Sequence, residues 1–366
     1  MKNVNASVTV SRHEPITNAN LLMRISIGIF IFMYVLAIVA WGGAYKKPQM
    51  FLDILNNNAF LIIIGCSLTI VMITGGIDIS VGGVVGLVSM VVCMFLKGKF
   101  CSLEGMSASV QVACAAGIAV LLGLAFGAAQ GALVAYLEIQ PFIITLAGMF
   151  FARGMITILS PVPVQLTSKE DSILVDILQH RTDIPFLGSP NKKGVMIPAR
   201  IEIGIYVALA VLIIIAIILR KSKLGRNFYA VGGNRQSALM LGINVKRTRF
   251  LAHLISGLLA GIAGFVYVTH TVSGNATNAS ASEMDAIASS IIGGTLLSGG
   301  VGNVIGTFFG VLILSTIKSI VLSSGLREPW WQTITTGLLL CFFILMQSII
   351  LSYRGKGKKK DTVVKE

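Results

Sequence analysis

Long apolar runs without a charged residue follow one another along nearly the whole chain. A helix needs about 20 consecutive apolar residues, within a range of roughly 17–25, to cross a bilayer. Eight runs are long enough and contain no Asp, Glu, Lys or Arg, and a ninth, 139–168, is interrupted only by Arg153. The eight are 25–45, 54–77, 79–96, 105–137, 203–219, 250–282, 286–317 and 329–353. If the longest runs divide at glycine clusters, the chain makes about ten crossings.

The sequence therefore predicts an all-α polytopic membrane protein with about 8–10 transmembrane helices, some of them broken or re-entrant. Of the 366 residues, 55% are apolar and only 12% are charged, which excludes a soluble domain of this length. The run 25–45 follows a polar segment and is too long for the core of a signal peptide. We interpret it as a first helix that the mature protein retains.

The net charge of +14 is explained by membrane topology, and a nucleic-acid partner is not needed to account for it. All eight charges in 220–249 are basic, whereas 161–199 contains four basic and four acidic residues. Short loops rich in Lys and Arg stay on the cytoplasmic side, and ten crossings place both termini there. We expect a cytoplasmic segment 1–24, a transmembrane domain 25–353 with an external loop 161–199 and a cytoplasmic coupling loop 221–250, and a basic cytoplasmic tail 354–366.

A short helix with its own end signals is predicted inside the basic loop. Asn234 is a good N-cap, and Gly242 can end the helix in a left-handed conformation. A capped helix on the cytoplasmic face of a polytopic protein indicates a docking element for a soluble partner. The residues expected to take part in docking are Asn234, Arg235, Gln236, Ser237, Ala238, Leu239, Met240, Leu241 and Gly242.

Two glycine-rich segments share the pattern GGxxxS, and they begin at Gly75 and Gly293. Glycine pairs within apolar runs indicate broken helices, which membranes tolerate only where the backbone is buried in protein or lines a cavity. Matching breaks in two halves can mark an internal repeat and a transport path. In a ten-crossing topology, however, both segments are placed on descending helices, which argues against a simple inverted repeat. If one segment is re-entrant, this parity changes.

Asp78 lies between two apolar runs, where an ionisable group is costly and usually faces the protein interior or water. One reading makes Asp78 a proton or ion carrier. The reading we favour makes it a structural cap or brace, because Asp caps helices well and the run 79–96 begins directly after it. The residues expected along a translocation path, from their positions alone, are Asp78, Gln130, Thr145 and Ser298.

Small residues recur at helical spacing in two of the apolar runs, including Gly123, Gly127, Gly257 and Gly261. Such residues let membrane helices approach closely, so tight structural packing is the preferred interpretation. The five cysteines and four histidines show no metal-ligand or disulfide spacing. A membrane enzyme would need clustered acids, histidines or a nucleophile with its base, and the apolar runs contain none of these.

Four segments in this order resemble the permease subunit of bacterial ABC sugar importers of the ribose and galactofuranose type. They are GGIDISVGG (75–83), QPFIITLAGMFFARG (140–154), YAVGGNRQSALMLG (229–242) and DAIASSIIGGTLLSGGVG (285–302). The resemblance extends over about residues 20–350 and is greatest to the galactofuranose permease. The family more often has Leu at position 79 and Ser at position 83, where this chain has Ile79 and Gly83.

The resemblance implies that the chain is a transport subunit without catalytic activity and that it spans the bacterial inner membrane several times. Two permease subunits, of the same or homologous chains, would form the path within membrane lipid and move a pentose or hexose such as galactofuranose, ribose or fructose by alternating access. An extracytoplasmic sugar-binding protein would deliver the sugar, and cytoplasmic ATPase subunits would bind ATP and Mg and grip the 234–242 helix. No cofactor is expected on this chain, which lacks the phosphate-binding motif GxxxxGK[ST].

An ion-coupled secondary transporter is the alternative from a different class, and Asp78 would then be its coupling residue. The capped helix in a purely basic loop favours ATPase docking instead.

Overall fold

The computed structural model describes residues 14–167, 169–190 and 196–363. The parts of the expected N-terminal segment, external loop and tail at 1–13, 168, 191–195 and 364–366 lie outside the described residues. Within these residues, ten helices form a bundle: α1 (Glu14–Tyr45), α2 (Pro48–Ile73), α3 (Ser80–Leu96), α4 (Ala108–Tyr136), α5 (Pro141–Leu159), α7 (Ile203–Lys221), α10 (Val245–Thr271), α11 (Ser282–Ile292), α12 (Val304–Ser323) and α13 (Pro329–Val363).

Eight of these helices are long and apolar enough to cross a membrane, whereas α3 and α11 are shorter. This confirms the predicted all-α polytopic fold. The remaining elements lie at the ends of the bundle: β1 (Val164–Gln165), α6 (Ser172–Leu178), β2 (Arg181–Pro190), β3 (Met196–Glu202), α8 (Lys223–Gly233), α9 (Arg235–Met240) and β4 (Ser273–Gly274).

The bundle has two chemically different ends. The hairpin end contains the antiparallel pair β2–β3 and the pair β1–β4. There Lys97, just after α3, forms an ion pair with Asp171 at 2.7 Å. The basic end contains α8 and α9, where Arg235 and Lys246 lie 3.2 and 3.6 Å from Glu138. Contacts along the bundle place the start of α1 and the end of α13 toward the basic end.

Helix α2 lies at the centre of the bundle and is buried along most of its length. A helix that is apolar all round is stable only when other helices surround it. Two of its polar side chains bond to those neighbours: Ser67 Oγ is 2.7 Å from Ser256 Oγ on α10, and Thr69 Oγ1 is 2.6 Å from Thr307 Oγ1 on α12. These contacts hold α10 and α12 against the central helix.

Helices α4 and α10 pack backbone against backbone, through glycines on both sides. A Cβ atom added to Gly257 would lie 2.3 Å from the carbonyl oxygen of Gly123 and 2.5 Å from the Cα atom of Gly127. A Cβ atom on Gly261 would lie 2.4 Å from the carbonyl oxygen of Ala119. The backbones therefore touch, and this geometry supports the packing role expected for these glycines.

Two re-entrant segments replace parts of two crossings. Residues 74–79 leave the basic end as turns and irregular chain before α3 begins, and 275–281 descend from the hairpin end as turns before α11 begins. The starts of α3 and α11 meet, because a Cβ atom on Gly82 would overlap the carboxylate of Glu283. The first segment was expected from its glycine pair. The second has no glycine pair, and the sequence did not indicate it.

The two glycine-pair segments that the sequence did indicate both lie at the basic end, after the descending helices α2 and α11. The two re-entrant segments, in contrast, follow helices of opposite direction, α2 and α10, so they do not support the expectation against an inverted repeat. Helical structure also continues to Val363, well into the segment expected to be a tail.

Candidate functional site

The basic end contains a junction at which three glycine-rich segments touch. We use "glycine junction" for 73–76, 232–234 and 293–302 together. The Gly300 N–H donates to the Ile73 carbonyl at 2.9 Å, and a Cβ atom on Gly232 would overlap that same carbonyl oxygen. A Cβ atom on Gly299 would lie 2.9 Å from the Gly75 Cα atom. Both GGxxxS segments thus contact each other and the chain that enters α9.

Glycine is required in the junction for two reasons. The backbones approach too closely for side chains, as the Cβ distances show. Several positions also adopt a left-handed conformation, with φ of +81° at Gly75 and +84° at Gly299, which is costly for residues that carry a Cβ. The glycines therefore let the three backbones pack closely and interrupt the helices at the same place.

Tyr229 ties α8 to the glycine junction. Its hydroxyl donates to the Gly302 carbonyl at 2.8 Å. Burial raises the pKa of Tyr229 to about 12, although the nearby Arg220 lowers it. The phenol therefore stays protonated and remains a donor at physiological pH.

The predicted short helix is present as α9, and its two end signals have the expected geometry. Asn234 has an extended backbone, and its Oδ1 accepts from the Ser237 N–H at 2.9 Å. Gly242 has φ +74°, and its N–H donates to the Leu239 carbonyl at 2.9 Å. Arg235, at the first helical position, pairs with Glu138 after α4. Caps and this ion pair fix a helix that is too short to be stable alone.

The far end of α9 exposes apolar side chains. Leu239, Met240 and Leu241 are 53%, 77% and 78% exposed. Ala238, in contrast, is only 1% exposed and packs against Val231 and Val245 of the same chain. The exposed apolar surface of α9 is thus the 239–241 tip, which Ala238 supports from behind.

Asp78 braces the start of α3 against α10. Its Oδ1 accepts from the Ser80 N–H at 3.0 Å and from the Ser80 hydroxyl at 2.6 Å. Its Oδ2 accepts from the Ser256 hydroxyl at 2.6 Å, and His253 Nδ1 is 4.0 Å away. Both carboxylate oxygens are therefore occupied, and the side chain is buried. This geometry suits the cap or brace that the sequence analysis favoured.

The structure brings three of the four expected path residues together. Ser80 Oγ is 3.0 Å from Gln130 Oε1, which places Gln130 beside Asp78. Thr145 Oγ1 donates to the Ile77 carbonyl at 3.2 Å, and Pro141 packs against Gly76. Within the single chain these side chains are buried. Ser298 lies apart on an exposed turn of the glycine junction.

Sequence reasoning missed Ser256, Ser80 and Tyr229 as partners in this region. Ser80 follows Asp78 by two residues, which is the spacing of a local side-chain cap and could have been recognised. Ser256 is 178 residues from Asp78 and has no such signal. Among the described residues, no group of three or more His, Cys, Asp or Glu side chains could hold a metal ion.

Comparisons with known proteins give a consistent result. Residues 50–344 match a protein family described as "Branched-chain amino acid transport system / permease component". The chain is 36% identical to the inner membrane ABC transporter permease protein YjfF of Escherichia coli (strain K12), over 90% of this chain and 92% of the relative. It is 32% identical to the fructose import permease protein FruG of Bifidobacterium longum (strain NCC 2705), over 90% and 91%.

A third relative, the ribose import permease protein RbsC of Escherichia coli (strain K12), is 29% identical over 93% of this chain and 98% of the relative. No solved structure matches. The matches cover the four sequence segments, the glycine junction and α9.

Proposed function

Since the chain belongs to the permease family of ABC transporters, we propose that it is the membrane-spanning subunit of a sugar importer in the bacterial inner membrane. The family description names branched-chain amino acids, whereas two relatives that align over more than nine-tenths of their lengths are named for fructose and ribose import. These relatives support a sugar more directly, because each is an individual protein that aligns with nearly the whole of this chain. Galactofuranose, ribose, fructose or a similar pentose or hexose is the proposed substrate.

The chain itself is a transport subunit and not an enzyme. We propose that separate ATPase subunits bind ATP and Mg at the basic end, that an extracytoplasmic sugar-binding protein docks at the hairpin end, and that a second permease, identical or homologous, completes the path. No cofactor is proposed on this chain.

One observation carries the proposal for ATPase docking. The 239–241 tip exposes three apolar side chains on a doubly capped helix, and that helix is connected directly to the glycine junction. Exposed apolar side chains on a rigid element are suited to a groove on a soluble partner. A displacement of α9 would move Gly232 and Gly233, and these glycines contact the segments that follow α2 and α11.

The proposed mechanism is alternating access between two packings of the helices. ATP binding would bring the two ATPases together and move α9, and the glycine junction would pass that movement to α3 and α11. A ligand shifts such an equilibrium only by its different affinity for the two states. ATP and the loaded binding protein would each favour one packing.

Reconstitution tests the proposed substrate class. The permease, its ATPase and its binding protein would be placed in liposomes with ATP inside, with galactofuranose, ribose, fructose, xylose and leucine as candidate substrates. We expect ATP-dependent uptake of one sugar and none of leucine. Leucine uptake without sugar uptake would contradict the proposal.

The proposed orientation places the basic end, both termini and the 221–250 loop in the cytoplasm, because basic loops remain inside. Lys223 on α8 and Phe186 on β2 are exposed and suit single-cysteine labelling. The exposed Cys101, Cys114 and Cys341 are first replaced by serine, whereas the buried Cys66 and Cys93 can stay.

With an impermeant thiol reagent on intact cells, we expect Phe186→Cys to react and Lys223→Cys to react only after the membrane is opened. Labelling of Lys223→Cys in intact cells, with Phe186→Cys protected, would show that the chain has the opposite orientation in the membrane.

We propose that Asp78 has a structural role, together with Gln130 and Thr145, at the base of the path. Asp78→Asn is expected to keep at least about half of native uptake, because the amide oxygen can still accept from Ser80 and a rotated Ser256 hydroxyl can accept from the amide nitrogen. Asp78→Ala leaves these donors unpaired, which costs about 1–3 kcal/mol, and should lower the yield of folded protein.

Uptake driven by a proton or sodium gradient without an ATPase, and lost in Asp78→Asn, would instead support the ion-coupled alternative. Measuring uptake in liposomes with each gradient imposed separately distinguishes these outcomes.

A further inference from the structure

The second re-entrant segment, 275–281, lies deep within the bundle. Arg153 fixes its position: Nη1 donates to the Asn278 carbonyl at 2.6 Å, and Nη2 donates to the Ala279 carbonyl at 2.8 Å. Arg153 is twelve residues from the start of α5 at Pro141 and six from its end at Leu159. At 1.5 Å per residue it lies about 18 Å along a helix of about 28 Å. The segment is thus at the depth of the hydrocarbon core.

This irregular segment is nevertheless exposed in the single chain. Ala276, Thr277, Ser280 and Ala281 are all exposed, and so is Met284 in the first turn of α11. Irregular backbone does not face lipid, since its polar groups would lose their hydrogen bonds to water without replacement. Such backbone occurs at membrane depth only where protein buries it or where it lines a water-filled cavity.

The neighbouring surface of α5 carries Gly154 among three large exposed apolar side chains, those of Phe150, Phe151 and Ile158. Gly154 is exposed, and no atom lies within 4 Å of the position that a Cβ atom would take there. Thr157, one turn further along, is also exposed. We call Gly154, Thr157, Thr277, Ser280 and Met284 the loop face.

We propose that the loop face lines the aqueous path and contacts the hydroxyl groups of a neutral sugar as it crosses. This inference rests on the proposed function. Threonine and serine hydroxyls can both donate and accept, as a polyhydroxyl solute requires. The glycine junction is at the basic end, so the loop face is a separate site, nearer the hairpin end.

The charges behind the loop face also suit a neutral solute. Arg153 Nη2 lies 3.9 Å from Glu283 Oε2, and that oxygen is buried without a hydrogen-bond partner. Asp285, further along α11, pairs with Lys318. Each charge is thus accompanied by one of opposite sign, so the face attracts neither anions nor cations strongly. The unpartnered Glu283 oxygen is an acceptor that a sugar hydroxyl could reach if the segment shifts.

Cysteine labelling tests whether water reaches the loop face. In a background without Cys101, Cys114 and Cys341, Gly154→Cys and Thr277→Cys are treated with a small hydrophilic methanethiosulfonate in membranes that contain the whole importer. Ile213→Cys is the matched control, because Ile213 is exposed midway along α7 on an apolar surface.

We expect both loop-face cysteines to react at least about tenfold faster than the control, with rates that change when ATP is added, since open and closed states differ in water access. Rates as slow as the Ile213→Cys rate, with and without ATP, would show that lipid or a protein partner covers the face and would overturn the proposal.

A second variant tests passage of the sugar. A Cβ atom at Gly154 meets open space in the single chain, but the ring of Gly154→Phe would narrow a path beside it. Uptake should therefore fall to about a tenth or less while ATPase association and melting temperature stay unchanged. Gly117→Phe, at an equally open exposed position on α4, is the control and should transport normally.

Native uptake by Gly154→Phe would exclude the loop face from the path. Cysteine labelling measures whether water reaches the loop face, so its result does not depend on which substrate the importer carries. A native importer that moves no sugar with ATP would refute the proposed function, and that result is distinct from an unreactive loop face.

Discussion

Changing Met240 and Leu241 together to glutamate is expected to abolish ATPase association and ATP-driven uptake. Both side chains are more than three-quarters exposed in the permease, so their burial would occur only in the complex. Burying a Met or Leu side chain contributes about 1.5–3 kcal/mol, so losing two corresponds to about 100-fold or more in affinity. Co-purification with the ATPase and uptake in liposomes measure the effect.

The matched control is a Met196→Glu, Ile197→Glu double change in β3. These residues are also adjacent and exposed, at 62% and 46%, but they lie at the hairpin end. The control should retain the ATPase, and both double variants should insert and fold, because neither change touches the core. Full association of the α9 double variant would show that the ATPase docks elsewhere.

Ala238 provides an internal comparison for the same helix. It is buried against Val231 and Val245, so Ala238→Asp disrupts the support of the 239–241 tip and not the docking surface itself. A charged residue there tests whether α9 keeps its position, whereas the double change tests what the tip contacts.

Gly257→Leu is expected to eliminate folded protein. Its Cβ atom would overlap the backbone of α4 at Gly123 and Gly127, and backbone atoms cannot move aside as a side-chain end can. Separating α4 from α10 would also disturb Ser256, which holds Asp78. We expect a loss of more than about 4 kcal/mol, the range of severe core overpacking, seen as no monodisperse peak in size-exclusion chromatography.

Gly117→Leu is the control for this prediction. Gly117 is on α4, in the same small-residue run, but nothing lies within 4 Å of its Cβ position. Its yield and melting temperature in detergent should match the native protein. Equal behaviour of the two leucine variants would contradict the close packing of α4 on α10.

Several features of the fold could be predicted from the sequence, because their physical causes are local. A long uncharged run has to cross the membrane, so the apolar runs indicated the helices and their approximate number. Asn234 and Gly242 act on backbone groups only a few residues away, so the limits of α9 could be inferred from neighbouring residues. The glycine pair before Asp78 likewise indicated a break where α2 and α3 meet.

Other features depended on contacts between distant segments, and only the tertiary structure decided them. Ser256 reaches Asp78 because α10 packs beside α3, and nothing within either helix specifies that pair. Segment 275–281 lies in an uncharged run without a glycine pair, so composition alone predicted continuous helix. The sequence also did not determine which side of α9 is buried, because the six side chains of this short helix point in all directions around its axis. The sequence by itself determined where the chain crosses and where short helices end, because those depend on near neighbours. The packing of helices far apart in sequence decided which polar groups meet, which breaks are re-entrant and which surfaces remain open.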